Sequence, residues 1–73
     1  MRLKDILEFF NNNKKMKHYL LFIRVNNINT HIFYSHEIKK YYDSLPVTLL
    51  NKKVDYNKYN NNDNDMIIIN ILK

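Results

Sequence analysis

Seventy-three residues with a formal net charge of +5 make one small unit, because a chain this short buries only about 60% of its unfolded surface and has no material for a second core. Gly and Cys are absent and Pro occurs once, which excludes a disulfide framework, a cysteine-ligated zinc site, a thiol nucleophile and a glycine-rich phosphate loop. Hydrophobic content of 45% is too high for a disordered chain, so the Asn and Lys clusters read as connectors between apolar runs.

In chain order, Leu3, Ile6, Leu7 and Phe10 fall at i, i+3, i+4 and i+7, one stripe of a helix over 3–10, and Phe9 widens its apolar face. Asn11-Asn12-Asn13 is expected to end it through a left-handed cap, which Asn tolerates where Gly is unavailable. Lys14, Lys15 and Lys17 form a basic connector. From His18 the period changes to two, with Tyr19, Leu21, Ile23 and Val25 facing one way and Leu20, Phe22 and Arg24 the other. Both faces are largely apolar, which places this strand centrally in a sheet. Asn26-Asn27 suits a two-residue type I′ turn, so a hairpin spans 18–34. With that turn, cross-strand partners sum to 53, setting His31 opposite Phe22 and His18 opposite Ser35.

Ser35 is expected to cap a helix over 36–45 with the stripe Ile38, Tyr41, Tyr42 and Leu45. Pro46 ends it and opens a further turn through Val47, Leu49 and Leu50. A second hairpin over 53–72 pairs a strand carrying Val54 and Tyr56 inward with Met66 to Leu72, joined by the Asn-rich loop Asn60 to Asp65. In its last strand Ile67, Ile69 and Ile71 share one face and Met66, Ile68 and Leu72 the other. The expected architecture is α+β: a four-stranded, mainly antiparallel sheet in the order α-β-β-α-β-β, with helices packed on one face.

More than half of the positions are Asn, Lys, Ile or Tyr, residues with A- and T-rich codons, which points to an AT-rich genome such as that of a phage or a large DNA virus. The opening Leu3-Lys4-Asp5-Ile6-Leu7, the polar hairpin, Leu45-Pro46 followed by Leu49-Leu50-Asn51-Lys52-Lys53-Val54, and the terminal Asp65-Met66-Ile67-Ile68-Ile69 resemble short accessory proteins in phages and prophages of low-GC Gram-positive bacteria. The likeness covers most of the chain, and the motifs that carry it are apolar positions and one Leu-Pro step. It implies a phage accessory protein that binds and blocks a host protein, anti-CRISPR inhibitors being the best-known kind, at work in the host cytoplasm. In keeping with that setting, the longest apolar run, Met66 to Leu72, is far short of the roughly 18 residues a membrane span needs, and Asp5 stands where a signal peptide would turn apolar.

No constellation points to catalysis, a metal or a cofactor. His18, His31 and His36 lack convergent ligand spacing and read as structural or surface residues. Asp63 and Asp65 among their asparagines lack the turn glycine and the distal bidentate Glu of a calcium loop. Ser35 beside His36 has no orienting acid, and Asp5 with Glu8, or Glu37 with Asp43, belong to solvated helix faces. The expectation is a non-enzyme that occludes a host protein or nucleoprotein complex, with no membrane partner. Phe22 and Ile68 are its candidate apolar contacts, and Lys39, Lys40, Tyr41 and Tyr42 a candidate exposed edge. The positive charge argues against DNA mimicry. Two alternatives stand beside it. One is a single-stranded nucleic-acid module using Lys14, Lys15, Lys17, Lys52, Lys53, Tyr56, Lys58 and Tyr59 for phosphates and base stacking. The other is a homodimer, sheet against sheet or edge to edge, that buries whichever sheet face the helices leave open.

Overall fold

The helical stripe of Leu3, Ile6, Leu7 and Phe10 is fully committed to the core in α1 (Leu3–Asn12). Its start is fastened by the Asp5 carboxylate, which accepts the Arg2 backbone N–H at 3.0 Å. The helix runs two residues past the predicted stretch, and its end is not left-handed, since Asn13 sits at φ −102°. The Asn13 side-chain amide instead donates to the Phe9 carbonyl at 2.6 Å, satisfying one of the carbonyls a helix end leaves open. Phe9 lies outside the core and meets Phe10 edge-on. The computed structural model describes residues 1–13, 18–60 and 65–72, so Lys14, Lys15 and Lys17 and the loop positions Asn61 to Asn64 lie outside the described residues.

The first hairpin consists of β1 (Leu20–Val25) and β2 (Ile28–Tyr34). Asn26 and Asn27 take φ values of 51° and 66°, the positive angles that a type I′ turn demands. Pairing follows the predicted register only as far as Val25↔Ile28 and Arg24↔Asn29. Thr30 is then an extra residue in a β-bulge, its hydroxyl donating to the Ile23 carbonyl at 3.2 Å. Beyond the bulge, partners sum to 54 instead of 53. His31 therefore opposes Ile23 rather than Phe22, and His18 meets His36 rather than Ser35, with ring centroids 4.6 Å apart.

Ser35 is the first residue of a short 3-10 turn, Ser35–Glu37, and does not cap it. Its buried hydroxyl accepts the Tyr19 N–H at 3.0 Å, while the Ser35 N–H donates to the Tyr19 carbonyl at 2.8 Å. The capping role falls to Glu37, whose carboxylate accepts the Tyr34 N–H at 3.1 Å. Ser35→Ala leaves the Tyr19 N–H without its partner in a buried position. It is expected to cost about 1–3 kcal/mol in a urea titration and to speed exchange of the Tyr19 amide selectively; a change within error on both counts would mean the Ser35 hydroxyl is not holding this strand entry.

The helix expected over 36–45 is divided between that turn and α2 (Ile38–Tyr42), followed by a turn to Leu45. Pro46 precedes α3 (Val47–Leu50) as its fixed φ favours. The predicted stripe nevertheless packs inward: Ile38 and Leu45 are buried, and Tyr41 and Tyr42 lie half-buried against the core.

The second hairpin is β3 (Val54–Asn60) with β4 (Asp65–Ile71). Four strands and helices in an α+β arrangement are as expected; two of the three strand pairings are antiparallel, and the third makes the sheet mixed. The order is β2-β1-β4-β3, with β1 and β4 side by side and parallel at the centre. The physical reason lies in the connection. α2 and α3 return the chain along the sheet to start β3 at the far edge, so β4 folds back inward and runs with β1. The two strands that are apolar on both faces thus take the centre, and the polar strands β2 and β3 become the edges. Leu21, Ile23, Ile67, Ile69, Phe33 and Val54 share the sheet face that α1, α2 and α3 cover.

Candidate functional site: an uncovered sheet face

Because strand side chains alternate, the buried residues of β1 and β4 fix where the others go. Leu20, Phe22 and Arg24 on β1, and Met66, Ile68 and Asn70 on β4, point to the face that no helix covers. The register assembles them into rows. The first reads Tyr34, Leu20, Met66, Tyr59 from edge to edge; the second reads Ile32, Phe22, Ile68, Asn57; the third reads Asn29, Arg24, Asn70, Asp55. The four central apolar residues are half-buried by one another. Those on the edges are more open, with Ile32 54%, Tyr59 46% and Tyr34 41% exposed. Seven apolar side chains, three of them aromatic, therefore form one continuous patch. It is bounded on one side by a polar row in which the Arg24 Nε donates to the Asn29 side-chain oxygen at 3.0 Å.

Phe22 and Ile68, the candidate apolar contacts, are direct neighbours across the β1/β4 pair in the middle of this patch. Lys39, Lys40, Tyr41 and Tyr42 are on the helical layer, away from it. Lys39 and Lys40 are exposed there. Tyr41 and Tyr42 are not the exposed edge expected of them, because Tyr41 stacks on Phe33 at 5.3 Å and both rings pack on the core. Lys39 and Tyr42 line a groove of about 300 Å³ between α1 and α2, together with Glu8 and Asp43.

The nucleic-acid set is divided. Lys52 and Lys53 precede β3 beside the N-terminus, where Lys53 bridges to Arg2. Tyr56 and Lys58 belong to the helix-facing side of β3, so Tyr56, expected inward, is open at the sheet edge at 47% exposure. The Lys58 ammonium lies 5.1 Å from the Tyr19 ring centroid. Its pKa is raised above the ordinary lysine value, first by hydrogen bonding to Tyr19 and also by attraction to Tyr19 and Asp65. Of the members of this set within β3, Tyr59 is the one on the uncovered face.

His36 lies between His18 and Tyr34, whose ring stacks on it at 5.5 Å. The Ser35 hydroxyl is turned to the Tyr19 backbone. Among the described residues no three His, Cys, Asp or Glu side chains are grouped to hold a metal, and no helix is long and apolar enough to cross a membrane. No family model, curated protein or solved structure matches the chain.

Ile32, Tyr34 and Tyr59 are the contributions that strand periodicity alone did not assign to the patch. Their alternation was readable, but membership requires knowing which strand borders which. Leu72, expected to share the face with Met66 and Ile68, is past the end of β4 and joins Arg24 and Asn70 around a cleft at the turn end of the sheet.

Proposed function

We propose that this chain is a binding module without catalytic activity, which engages a macromolecular target through its uncovered sheet face and works by occluding the target's surface. The observation that carries this is the contiguous apolar patch of Leu20, Phe22, Ile32, Tyr34, Tyr59, Met66 and Ile68 on one side of a two-layer domain. Leaving that much apolar surface in water is unfavourable at about 25 cal/mol per Å², so such faces are occupied surfaces in soluble domains. The composition favours a protein target over nucleic acid. The centre is apolar and mostly aliphatic, the tyrosines stand at the flanks as in a protein interface with an amphipathic rim, and Arg24 is the one cation in the three rows. In the phage-accessory setting that the sequence resemblance implies, the target is a host protein, and an anti-defence inhibitor is the most concrete form of the proposal.

The test is an affinity pull-down of tagged protein from host lysate, divided into nuclease-treated and untreated halves and read by mass spectrometry. A stoichiometric protein partner is expected in both halves. Recovery in the untreated half alone would replace the protein target with nucleic acid, and no enrichment in either would remove the proposal.

A further inference from the structure

We infer that a second copy of this chain occupies the uncovered face when no target is present, with the two sheets stacked about a twofold axis that lies between them and runs parallel to the strands. The inference rests on that face being the contact surface, and adds the partner and the geometry.

Two symmetric ways of stacking the face on itself keep the strands aligned, and the residue rows distinguish them. A twofold axis perpendicular to the strands would reverse the row order. The apolar row of Tyr34, Leu20, Met66 and Tyr59 would then lie on Asn29, Arg24, Asn70 and Asp55, setting Arg24 against Leu20 and Asp55 against Tyr59. That desolvates a guanidinium and a carboxylate with no opposite charge facing either, which is costly.

An axis parallel to the strands keeps each row on itself and exchanges its two flanks. Tyr34 of one copy then meets Tyr59 of the other, Leu20 meets Met66, and Phe22 meets Ile68. In the polar row Arg24 lies over Asn70 of the second copy, one strand spacing from its Asp55. That offset is about 4.8 Å sideways across sheets about 10 Å apart, a gap that two side chains projecting toward each other close. Arg24 and Asp55 are the only charged residues in the three rows, one of each sign, and this axis pairs them twice. The Arg24–Asn29 hydrogen bond uses only the Nε–H, leaving both terminal nitrogens of the guanidinium for a carboxylate.

The size of the face bears on how tight the dimer is. Four strands and three rows cover roughly 19 by 20 Å, about 380 Å² in projection and less than the roughly 600 Å² per partner at the lower limit of specific interfaces. Such a dimer is weak enough for a target with a better fit to displace it.

Sedimentation equilibrium on the purified chain, with no lysate present, is expected to show mass rising with concentration to twice the 9.0 kDa of the chain. Arg24→Glu and Asp55→Lys should each weaken association by roughly tenfold or more through like-charge contact, and the double variant should recover to within about threefold of wild type. Independently, a Tyr34→Cys/Tyr59→Cys variant should be cross-linked between chains by a short bifunctional thiol reagent of about 6 Å span, which joins two cysteines projecting toward each other across sheets about 10 Å apart. The two positions are on opposite edges of one sheet, about 14 Å apart across three strand spacings, too far to bridge within a chain. A monomer at every concentration would overturn the inference. So would a dimer in which charge exchange fails to restore association and the two cysteines do not cross-link. Because self-association is read without a target, its failure leaves the pull-down result standing, and the converse also holds.

Discussion

Leu21→Ala is expected to lower stability by about 3 kcal/mol, from the 2–5 kcal/mol range of large-to-small changes in fully buried positions. Leu21 has no exposed surface and is the second residue of the central strand β1, between Phe33 on β2 and Ile67 on β4. The helices lie over it, so the lost volume has no side from which the structure can collapse to fill it. For a chain of 73 residues the whole folding free energy is about 4–11 kcal/mol at 0.05–0.15 kcal/mol per residue. One methyl cluster therefore accounts for a large part of it. At about 4–8 °C per kcal/mol, the melting temperature should fall by roughly 12–24 °C. Leu20→Ala, one position earlier and on the opposite face, is the control, and should cost less than half as much. Equal costs, or the reverse order, would mean that the β1 register is shifted by one residue, since such a slip exchanges every side chain between the two faces.

The alternation that places Leu21 inside and Leu20 outside was legible in the sequence, and so were the α1 stripe, the Asn26-Asn27 turn and the break at Pro46. Each of these is local: a periodicity, a positive φ that Asn accepts, a fixed proline angle. The departures share a different origin. Thr30 bulges because its hydroxyl can serve the Ile23 carbonyl, and because Ser35 must reach the Tyr19 backbone on the far side of the hairpin. Nothing in the spacing from Asn27 to Ser35 announces that exchange, yet it moves His18 from Ser35 to His36. The parallel pairing of β1 with β4 is likewise set by where the helical connection delivers β3, and residue patterns within a strand do not record its neighbours.

The candidate site follows the same division. Phe22 and Ile68 were identifiable because each strand carried apolar residues on both faces, and one face had to be left after the helices were placed. Tyr41 and Tyr42 looked available because tyrosine next to lysine reads as a contact edge. Their i, i+3 and i+4 relation to Ile38 was the stronger signal, and it packed them, half-buried, against the core. The lysines were spread over connectors in sequence, and those among the described residues remain spread in space. Lys58 is turned toward Tyr19, and Lys39 and Lys40 are on the helical layer, so these three described lysines do not converge on the uncovered face.

Phe22→Thr is the substitution expected to have the largest effect on target binding. Phe22 stands in the middle row, flanked by Ile32 and Ile68 on the neighbouring strands, with Leu20 and Arg24 next along β1 on the same face. Central aromatic residues ringed by other apolar contacts are where binding free energy concentrates, at about 2–4 kcal/mol per truncation. That corresponds to roughly 30-fold to 1,000-fold in affinity for the protein recovered by pull-down. Threonine keeps the β-branched preference of a strand, and the side chain it replaces is half-buried rather than enclosed, so stability should change by only about 1 kcal/mol. The pairing of the two measurements is what gives the substitution its force: Leu21→Ala should lower the melting temperature steeply, while Phe22→Thr should leave melting nearly in place and abolish capture. Lys39→Ala/Lys40→Ala, on the helical layer, should leave both unchanged. If folded Phe22→Thr protein bound its target within about threefold of wild type while the lysine variant lost it, the contact surface would move from the sheet to the groove between α1 and α2. Arg24→Glu adds a further separation, because it disturbs the polar row through which two copies are paired and leaves the seven apolar side chains in place. A target that depends on those side chains should still bind it, and bind it more readily as the competing dimer is lost.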